Sequence, residues 1–249
     1  MTPPLTLLTD FGTADYYVGA VKGAILSVNP NVPIVDITHE IPSQDIELGA
    51  FMLLAAYKTF PRGTIHLAVV DPGVGSARRP IIVTANDQFF VGPDNGLFTY
   101  IYDREPSHQT FHVTTDQYFR PNPSSTFHGR DIFAPVAAAL SIRVAPEQFG
   151  PLINDEVRLP SLETPVRIIH IDRFGNCVTN ISREVFEGKS LTINGKKISA
   201  VRKFYGEASP GEIFSIWGSA GFLEISVNGG SAAQILNAKR GDTIIFRHG

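Results

Sequence analysis

Residues 5–142 alternate short apolar runs of strand length with longer apolar segments of helix length, and this alternation constrains the fold more than any other feature. The first strand-like run covers residues 5–10, and a helical segment follows over residues 17–30, where Asn29-Pro30 ends it. Further strands are predicted at 32–38, 64–71, 81–86 and 88–93, with a turn at Asn86-Asp87, and further helices at 46–60 and 131–142. Such alternation predicts an α/β amino-terminal domain with a mostly parallel, helix-flanked sheet.

The pattern changes near residue 160. Residues 159–165 contain two prolines and no apolar periodicity, which favours a linker. Beyond them come short strand-like pieces separated by Gly, Asn and Pro, as in a small β-barrel or sandwich. We therefore predict an amino-terminal domain over 1–158, a linker over 159–165 and a smaller β-barrel-like carboxy-terminal domain over 166–249.

Composition excludes several classes of protein. With 249 residues, 43% of them hydrophobic and 18% charged, the chain can bury a core without metal or disulfide help. A net charge of -3 offers no basic surface for nucleic acid or an anionic membrane. The start lacks a basic segment followed by an apolar run, and no apolar stretch approaches the ~20 residues of a membrane span. We expect a soluble, cytoplasmic protein with no nucleic-acid or membrane partner.

Acidic residues follow three of the predicted strands. Asp10, Asp71 and Asp94 each come directly after an apolar run, and ligands of open parallel sheets bind outside the carboxyl ends of the strands. The segment FHGRD places His128 with Arg130 and Asp131 just before a helix, and Asn95 follows Asp94. A strand-end Asp is also a common turn former or helix cap, so each acid alone has a structural alternative.

Familiar catalytic motifs are absent from the sequence. The loop DPGVGSARR lacks the Gly-Lys-Ser/Thr ending of a phosphate loop, and GVGSAR lacks the third glycine of a dinucleotide fingerprint. No HExxH pair occurs, and GSAG at 218–221 is one glycine short of a nucleophile elbow. The single cysteine, Cys177, fits a small buried apolar residue better than a nucleophile. Trp217 and Phe222 fit core positions better than a ligand platform. We expect no metal site.

Several motifs in order nevertheless resemble one family over nearly the whole chain. They are TDFGTADYYVGAVKG, VDPGVGSARRPI, GPDNGLFT, FHGRDIFAPVAA, IDRFGNCVTNI and WGSAGFLEISVNGGSAA. The chain resembles the S-adenosyl-L-methionine hydroxide adenosyltransferases, the adenosine-forming S-adenosylmethionine hydrolases, which are related to fluorinating and chlorinating enzymes. The resemblance implies an α/β domain and a β-barrel-like domain in a homotrimer. It also implies a ligand between one subunit's amino-terminal domain and a neighbour's carboxy-terminal domain.

The resemblance carries roles onto residues of the amino-terminal domain. The family's water-handling triad matches Asp71, Arg78 and His128, with Arg79 as the alternative if the alignment shifts by one. The ribose-binding acid matches Asp10, whose carboxylate could accept from both ribose hydroxyls.

Substrate-binding positions match in both domains. At the methionine end, the lining positions match Asp15 and Tyr17, the contact to the ammonium matches Asp172, and the contact to the carboxylate matches Ser219. The adenine contacts match Asn176, Asn228 and Gly229. The ring that stacks on adenine matches Tyr205, or Phe204 beside it.

Departures from the halogenating relatives favour water as the nucleophile. Those relatives carry Tyr where this chain has Asp71, and the fluorinating enzymes carry Thr and Ser at Val74 and Gly129. A carboxylate at position 71 opposes desolvation of a halide but can accept a proton from water. Ala220 replaces an arginine that holds the methionine carboxylate in the fluorinating enzymes. The implied activity is hydrolysis of S-adenosyl-L-methionine, which is the substrate, with no cofactor. A non-catalytic adenosine or S-adenosylmethionine binder and a halogenase remain the alternatives.

Overall fold

The computed structural model describes residues 3–186 and 190–247, so residues 1–2, 187–189 and 248–249 of the predicted domains lie outside the described residues. The chain divides into two compact units, one ending at Pro160 and the other beginning at Ser161. They are hereafter the amino-terminal unit and the carboxy-terminal unit. The linker and the domain limits at 158 and 166 stay predictions. No helix in the described part of the chain has the length and apolar character needed to cross a bilayer.

The amino-terminal unit contains one seven-stranded sheet. Its strands are β1 (Leu5–Thr9), β2 (Ile34–Thr38), β3 (Ile65–Val69), β4 (Pro80–Ala85), β5 (Gln88–Pro93), β6 (Gln109–His112) and β7 (Leu152–Ile153). Their order across the sheet is β2-β1-β3-β5-β4-β6-β7. Every residue of β1 and β3 is buried, as expected for central strands covered on both faces.

The sheet is mixed, which corrects the prediction of a mostly parallel one. β1 pairs in parallel with β2 and β3, and β3 with β5, but β4 is antiparallel to β5 and β6, as β6 is to β7. For β4 and β5 the cause is the predicted turn at Asn86-Asp87, which is confirmed. Both residues have positive φ, 51° and 56°, the conformation of a two-residue hairpin turn, and a hairpin joins antiparallel strands.

Helices cover both faces of this sheet, as predicted. They are α1 (Tyr17–Val28), α2 (Ile46–Ala56), α3 (Thr99–Arg104) and α4 (Ala134–Ser141). Helices α1 and α4 share a hydrophobic cluster with Leu7 of β1. The next residue, Leu8, points to the opposite face, where a Cβ added to Gly49 of α2 would lie 3.8 Å from it. The predicted helix over 131–142 begins as a π-helical turn, Gly129–Phe133, before α4.

The carboxy-terminal unit contains two sheets and one short helix. Its elements are β8 (Ile168–Ile171), β9 (Cys177–Thr179), β10 (Ser190–Ile193), β11 (Lys196–Ile198), β12 (Val201–Arg202), β13 (Ile213–Trp217), β14 (Leu223–Val227), α5 (Ala232–Leu236) and β15 (Ile245–Arg247). One sheet has the order β12-β13-β14-β9-β8 and the other β11-β10-β15. The short strands were predicted from the sequence.

These two sheets do not form a closed barrel in the described residues, so the barrel-like prediction is not confirmed. Residues 241–244 donate and accept backbone hydrogen bonds with residues 166–168 and then lead into β15, which joins one side of the two sheets. On the other side, β11 and β12 follow each other in the chain but pair with different strands. The hydrogen-bond ladder is therefore interrupted there.

Candidate active site

The loop between β3 and β4 carries a buried ion pair. Asp71 follows β3, Arg78 precedes β4, and their side chains are only 5% and 9% exposed. Arg78 Nε donates to Asp71 Oδ1 and Oδ2 at 2.9 and 3.0 Å, and Nη2 also donates to Oδ2. Such a two-pronged pairing holds both side chains in one orientation.

His128 extends this pair into a three-residue cluster. Its Nδ1 lies 2.8 Å from Arg78 Nη2, and the Arg78 guanidinium lies 4.9 Å from the centre of the Phe133 ring. Burial lowers the pKa of His128 and the charge of Arg78 lowers it further, against the opposing charges of Asp71 and Asp131. The imidazole is therefore neutral at neutral pH. It stands directly before the π-helical turn, a feature that often occurs at functional sites.

Asp10 lies at the end of β1, close enough to Asp71 for the charge of Asp71 to affect its pKa. Burial raises the pKa of the Asp10 carboxyl and the charge of Asp71 adds to the rise, while the backbone N–H of Gln44 donates to Oδ2 at 2.8 Å and opposes it. The preceding residue is also held, because Thr9 Oγ1 lies 2.8 Å from His39 Nδ1. Oδ1 of Asp10 has no hydrogen-bond partner among described side chains.

A small pocket of about 70 Å³ connects these residues. It is lined by Asp10, Phe11, Val69, Asp71, Val74, Thr126, Phe127, His128 and Gly129. Two separate strand ends and the segment before α4 thus meet at one edge of the sheet, where sequence reasoning placed the acids. A carboxylate, a neutral imidazole and a guanidinium side by side can orient a small polar molecule and accept a proton from it.

The neighbouring Arg79 forms a separate set of hydrogen bonds, with Asp94 and Asp155. Its Nε donates to Asp94 Oδ2 at 2.8 Å and its Nη1 to Asp155 Oδ1 at 2.8 Å. Asp94 also accepts from the backbone N–H of Val157, and the Asn95 amide donates to the Val70 carbonyl. Arg78, not Arg79, therefore contacts Asp71 and His128, and the strand-end acid Asp94 serves structure.

Arg130 and Asp131 also serve the local loop. Asp131 accepts from Arg130 Nε at 2.7 Å and from the backbone N–H of Ser124 at 2.9 Å, and Arg130 lies over the Phe127 ring. These contacts brace the segment that carries His128.

The two predicted methionine-end residues differ. The ring of Tyr17 packs against Phe127 and Phe11, which line the pocket, at centroid distances of 5.3 and 6.2 Å. Asp15 is exposed on the turn before α1 and forms no hydrogen bond or ion pair with a described residue. The structure thus brings Tyr17, but not Asp15, into contact with the pocket walls.

In the carboxy-terminal unit, three predicted residues form one hydrogen-bonded network. Asp172 Oδ1 accepts from the backbone N–H of Asn176 at 2.8 Å and Oδ2 from its side-chain amide at 2.8 Å. The same amide nitrogen donates to the Tyr205 hydroxyl at 3.2 Å, which lies 3.4 Å from Ser226 Oγ. Tyr205 packs edge-on against Phe214 and is 42% exposed, so its ring can still receive a flat ligand. Phe204 is also exposed.

The remaining predicted residues of this unit lie on turns. The Asn228 amide donates to the Ala208 carbonyl at 2.7 Å, so that group is engaged in holding the chain. Gly229 follows with φ of 79°, and Ser219 is exposed on the turn after β13. Cys177 is fully buried and its pKa is raised to about 11 by burial, in agreement with the predicted apolar role.

Sequence reasoning missed some residues that shape the site. Gln44 holds Asp10 through its backbone, and a backbone contact leaves no side-chain signal in a sequence. Phe133 lies in a segment that the sequence predicts as a buried helix, and its ring also packs against the Arg78 guanidinium. Phe11 and Phe127 adjoin Asp10 and His128 in the quoted motifs, so adjacency could have indicated them.

Comparison with known proteins gives two family matches. The model of the SAM hydroxide adenosyltransferase N-terminal domain matches residues 5–150, and that of the SAM hydroxide adenosyltransferase C-terminal domain matches residues 166–245.

Individual proteins are also similar to this chain over nearly its whole length. The chain is 38% identical to an (R)-S-adenosyl-L-methionine hydrolase of Thermus thermophilus, over 96% of this chain and 97% of the relative, and 38% identical to one of Methanocaldococcus jannaschii, over 96% and 94%. A fluorinase of Nocardia brasiliensis is 27% identical, over 99% and 97%. The crystal structure of an uncharacterized conserved protein from Thermotoga maritima superposes with a TM-score of 0.92 at 37% identity, over 98% of this chain and all of that one. The resemblance seen in the motifs is confirmed, and the chain belongs to the SAM hydroxide adenosyltransferase family.

Proposed function

We propose that this protein hydrolyses S-adenosyl-L-methionine to adenosine and L-methionine, with water attacking the ribose C5′ in line with the departing sulfur. The observation that carries the proposal is the Asp71–Arg78–His128 cluster, of which Asp71 and His128 line one pocket together with Asp10. It occurs in a chain whose curated relatives at 38% identity are named as hydrolases of this substrate.

The chemistry required of the protein is activation of water. A sulfonium is already a good leaving group, so its departure needs neither an acid nor a cofactor. Water is a weak nucleophile at neutral pH, and a positioned carboxylate and imidazole address that difficulty, typically by ~10²–10⁴ in rate. Attack by an anionic oxygen on a sulfonium cancels charge, which a closed pocket favours.

The names of the relatives indicate which stereoisomer of the substrate to expect. They specify the (R) configuration, and the sulfonium sulfur is the centre whose two epimers a hydrolase of this kind has to distinguish. We propose the same preference here. Inversion at sulfur exchanges the positions of the methyl group and the methionine chain and leaves the line of attack at C5′ unchanged, so the preference would depend on how the site fits those two sulfur substituents.

Asp10, Asp15, Tyr17, Asp172, Asn176, Tyr205, Ser219, Asn228 and Gly229 are proposed to bind this substrate. In the amino-terminal unit, Asp10 Oδ1 would accept from the ribose hydroxyls while Gln44 holds Oδ2. In the carboxy-terminal unit, Tyr205 would stack on adenine and Asp172 would face the methionine ammonium. We place these two groups of residues in neighbouring subunits of a homotrimer, acting in the cytoplasm.

Incubation with each epimer, followed by chromatography of the products, tests the activity. Adenosine and methionine from the (R) epimer, with slower turnover of the (S) epimer, are expected. A 5′-halo nucleoside formed with chloride or fluoride would identify a halogenase, and binding without any product would identify a non-catalytic binder. Equal turnover of the two epimers would remove the stereochemical preference alone.

Hybrid complementation tests the shared site. Asp71→Asn and Asp172→Ala alter different units. At a substrate concentration too low for Asp172→Ala to bind, neither variant alone is active, and chains of the two refolded together would regenerate intact sites if each site spans two subunits. Recovery of activity, together with a trimer by light scattering, is expected. An active monomer, or no recovery in a mixed oligomer, would contradict the assembly.

A further inference from the structure

The contact between Arg78 and His128 determines where the imidazole carries its proton. A guanidinium has five N–H donors and no acceptor. Arg78 Nη2 lies 2.8 Å from His128 Nδ1, a hydrogen-bond distance, so Nδ1 must accept through its lone pair. In a neutral imidazole the other nitrogen, Nε2, then bears the hydrogen.

The other two protonation states conflict with this geometry. A neutral ring with hydrogen on Nδ1, or a charged ring with hydrogens on both nitrogens, would turn an N–H toward the Arg78 N–H at 2.8 Å. Two donors at that separation repel each other. Burial also lowers the pKa of His128, which disfavours the charged ring independently of that contact.

The Nε2–H group is available to a ligand. Among the described residues, the hydrogen bonds of the His128 side chain are confined to its contact with Arg78, so Nε2 has no protein acceptor. His128 lines the pocket together with Asp10 and Asp71. A molecule in the pocket therefore meets a hydrogen-bond donor from His128 and an acceptor from Asp71.

We propose that His128 donates a hydrogen bond from Nε2 to the oxygen of the attacking water, and that Asp71 is the group that accepts the proton. This inference deepens the proposed hydrolysis and rests on it. A carboxylate has about four acceptor positions, so Asp71 retains capacity for one water hydrogen besides its bonds from Arg78. One lone pair of the water oxygen accepts from His128, and the second lone pair stays free for the carbon.

The step balances with these groups alone. One O–H bond of water breaks, and its proton passes to the Asp71 carboxylate. The new O–C5′ bond forms as the C5′–S bond breaks, and that electron pair remains on sulfur, which becomes the neutral thioether of methionine. Asp71 then releases its proton to solvent. His128 keeps its proton throughout, and its donor stabilises the developing hydroxide.

Nitrogen-15 NMR of the full chain, labelled at histidine, tests the tautomer without any substrate. The His128 signals are assigned by their loss in His128→Gln. At neutral to mildly alkaline pH we expect a protonated Nε2 and an unprotonated Nδ1. A proton on Nδ1, or a charged ring, would overturn the inference.

Two substitutions separate donation from proton acceptance. The glutamine amide in His128→Gln can supply an N–H near the position of Nε2, whereas the shorter amide of His128→Asn can reach only the position of Nδ1. Neither accepts a proton as imidazole does. We expect kcat of His128→Gln to exceed that of His128→Asn by about tenfold, the worth of one hydrogen bond. Equally low kcat values, with adenosine still bound by both variants, would overturn the donor role.

The failures are distinguishable. If the unchanged protein releases no adenosine from either epimer, the proposed hydrolysis fails. If it hydrolyses normally but NMR finds hydrogen on Nδ1, only the division of labour between His128 and Asp71 fails.

Discussion

The polar cluster of the amino-terminal unit and that of the carboxy-terminal unit are built from different chemistry. Asp71 and Arg78 form a buried ion pair against the His128 ring. Asp172, Asn176 and Tyr205 form a network in which amide and hydroxyl groups supply most of the hydrogen bonds, next to an exposed ring. The first arrangement holds charges that polarise a reacting molecule, and the second presents donors, acceptors and a flat surface.

The two clusters should also respond differently to mutation. Removing one partner of a buried ion pair leaves an uncompensated charge, which is strongly destabilising. Removing one neutral hydrogen bond costs only about 1 kcal/mol. Because the first cluster is proposed to act on the attacking water and the second to hold the substrate, changes in the first should lower turnover and changes in the second should weaken affinity.

The largest effect is expected for Asp71→Asn. The amide keeps a hydrogen-bond acceptor for Arg78 but cannot take a proton from water, so kcat should fall by about 10²–10⁴ with little change in adenosine affinity. Asp155→Asn is the matched control, because Asp155 is an exposed partner of Arg79 outside the pocket. Steady-state kinetics and calorimetry measure both quantities. A raised KM with unchanged kcat would mean that Asp71 binds substrate and does not act on water.

A second prediction concerns acid stability of the two units. Burial lowers the pKa of His66 in β3 from 6.5 to about 4. The folded protein therefore holds this ring neutral while the unfolded chain protonates it. The stability that His66 contributes is present above pH 6.5 and is lost as the pH falls toward 4, by roughly 3 kcal/mol in total.

Two optical signals separate the units in this experiment. Helices α1 to α4 belong to the amino-terminal unit, whereas Trp217, the single tryptophan, belongs to the other. Urea midpoints followed by circular dichroism should fall with acid more steeply than those followed by tryptophan emission. His66→Asn should reduce the difference between the two signals in how steeply the urea midpoint falls with acid. Parallel pH dependence of both signals in the unchanged protein would contradict the assignment to His66.

A third prediction uses two glycines with the same backbone angle. Gly75, in the Asp71–Arg78 loop, and Gly195, in the turn between β10 and β11, both have φ of 79°. A Cβ at Gly75 would lie 2.3 Å from the Ser125 carbonyl oxygen, and one at Gly195 would meet nothing within 4 Å. Gly195→Ala should cost only the backbone strain, about 1–2 kcal/mol of stability. Gly75→Ala should cost more stability because its Cβ would clash with Ser125, and it should lower kcat several-fold because the loop that carries Asp71 and Arg78 would shift. Equal stability losses with unchanged kcat would show that the loop position is unimportant.

The smallest effect is expected for Tyr205→Phe. The change removes the hydroxyl that accepts from Asn176 but keeps the ring, so adenosine affinity should weaken by about 1 kcal/mol while kcat stays constant. Tyr118→Phe, which removes an exposed hydroxyl bonded to Gln148 in the other unit, is the control and should leave affinity unchanged. A fall in kcat for Tyr205→Phe would break the proposed separation between the clusters.

Much of the fold follows from local sequence patterns. Apolar spacing predicts the buried strands β1 and β3. The backbone preferences of Asn, Asp and Pro predict the end of α1 at Asn29-Pro30 and the turn at Asn86-Asp87. The direction of β6 and the pairing of β12 are not local properties. They depend on which strand edge is free when the chain returns to the sheet, and no periodicity encodes that.

The sequence by itself determined the family, the two-part organisation and the acids at two strand ends, because motifs in fixed order and apolar periodicity are properties of the chain alone. Only the tertiary structure decided between Arg78 and Arg79, which are chemically identical neighbours. One faces Asp71 and His128 and the other Asp94, and that choice depends on the path of the loop in space. The protonation of His128 was decided in the same way, because an imidazole takes its tautomer from the partner that folding brings to it.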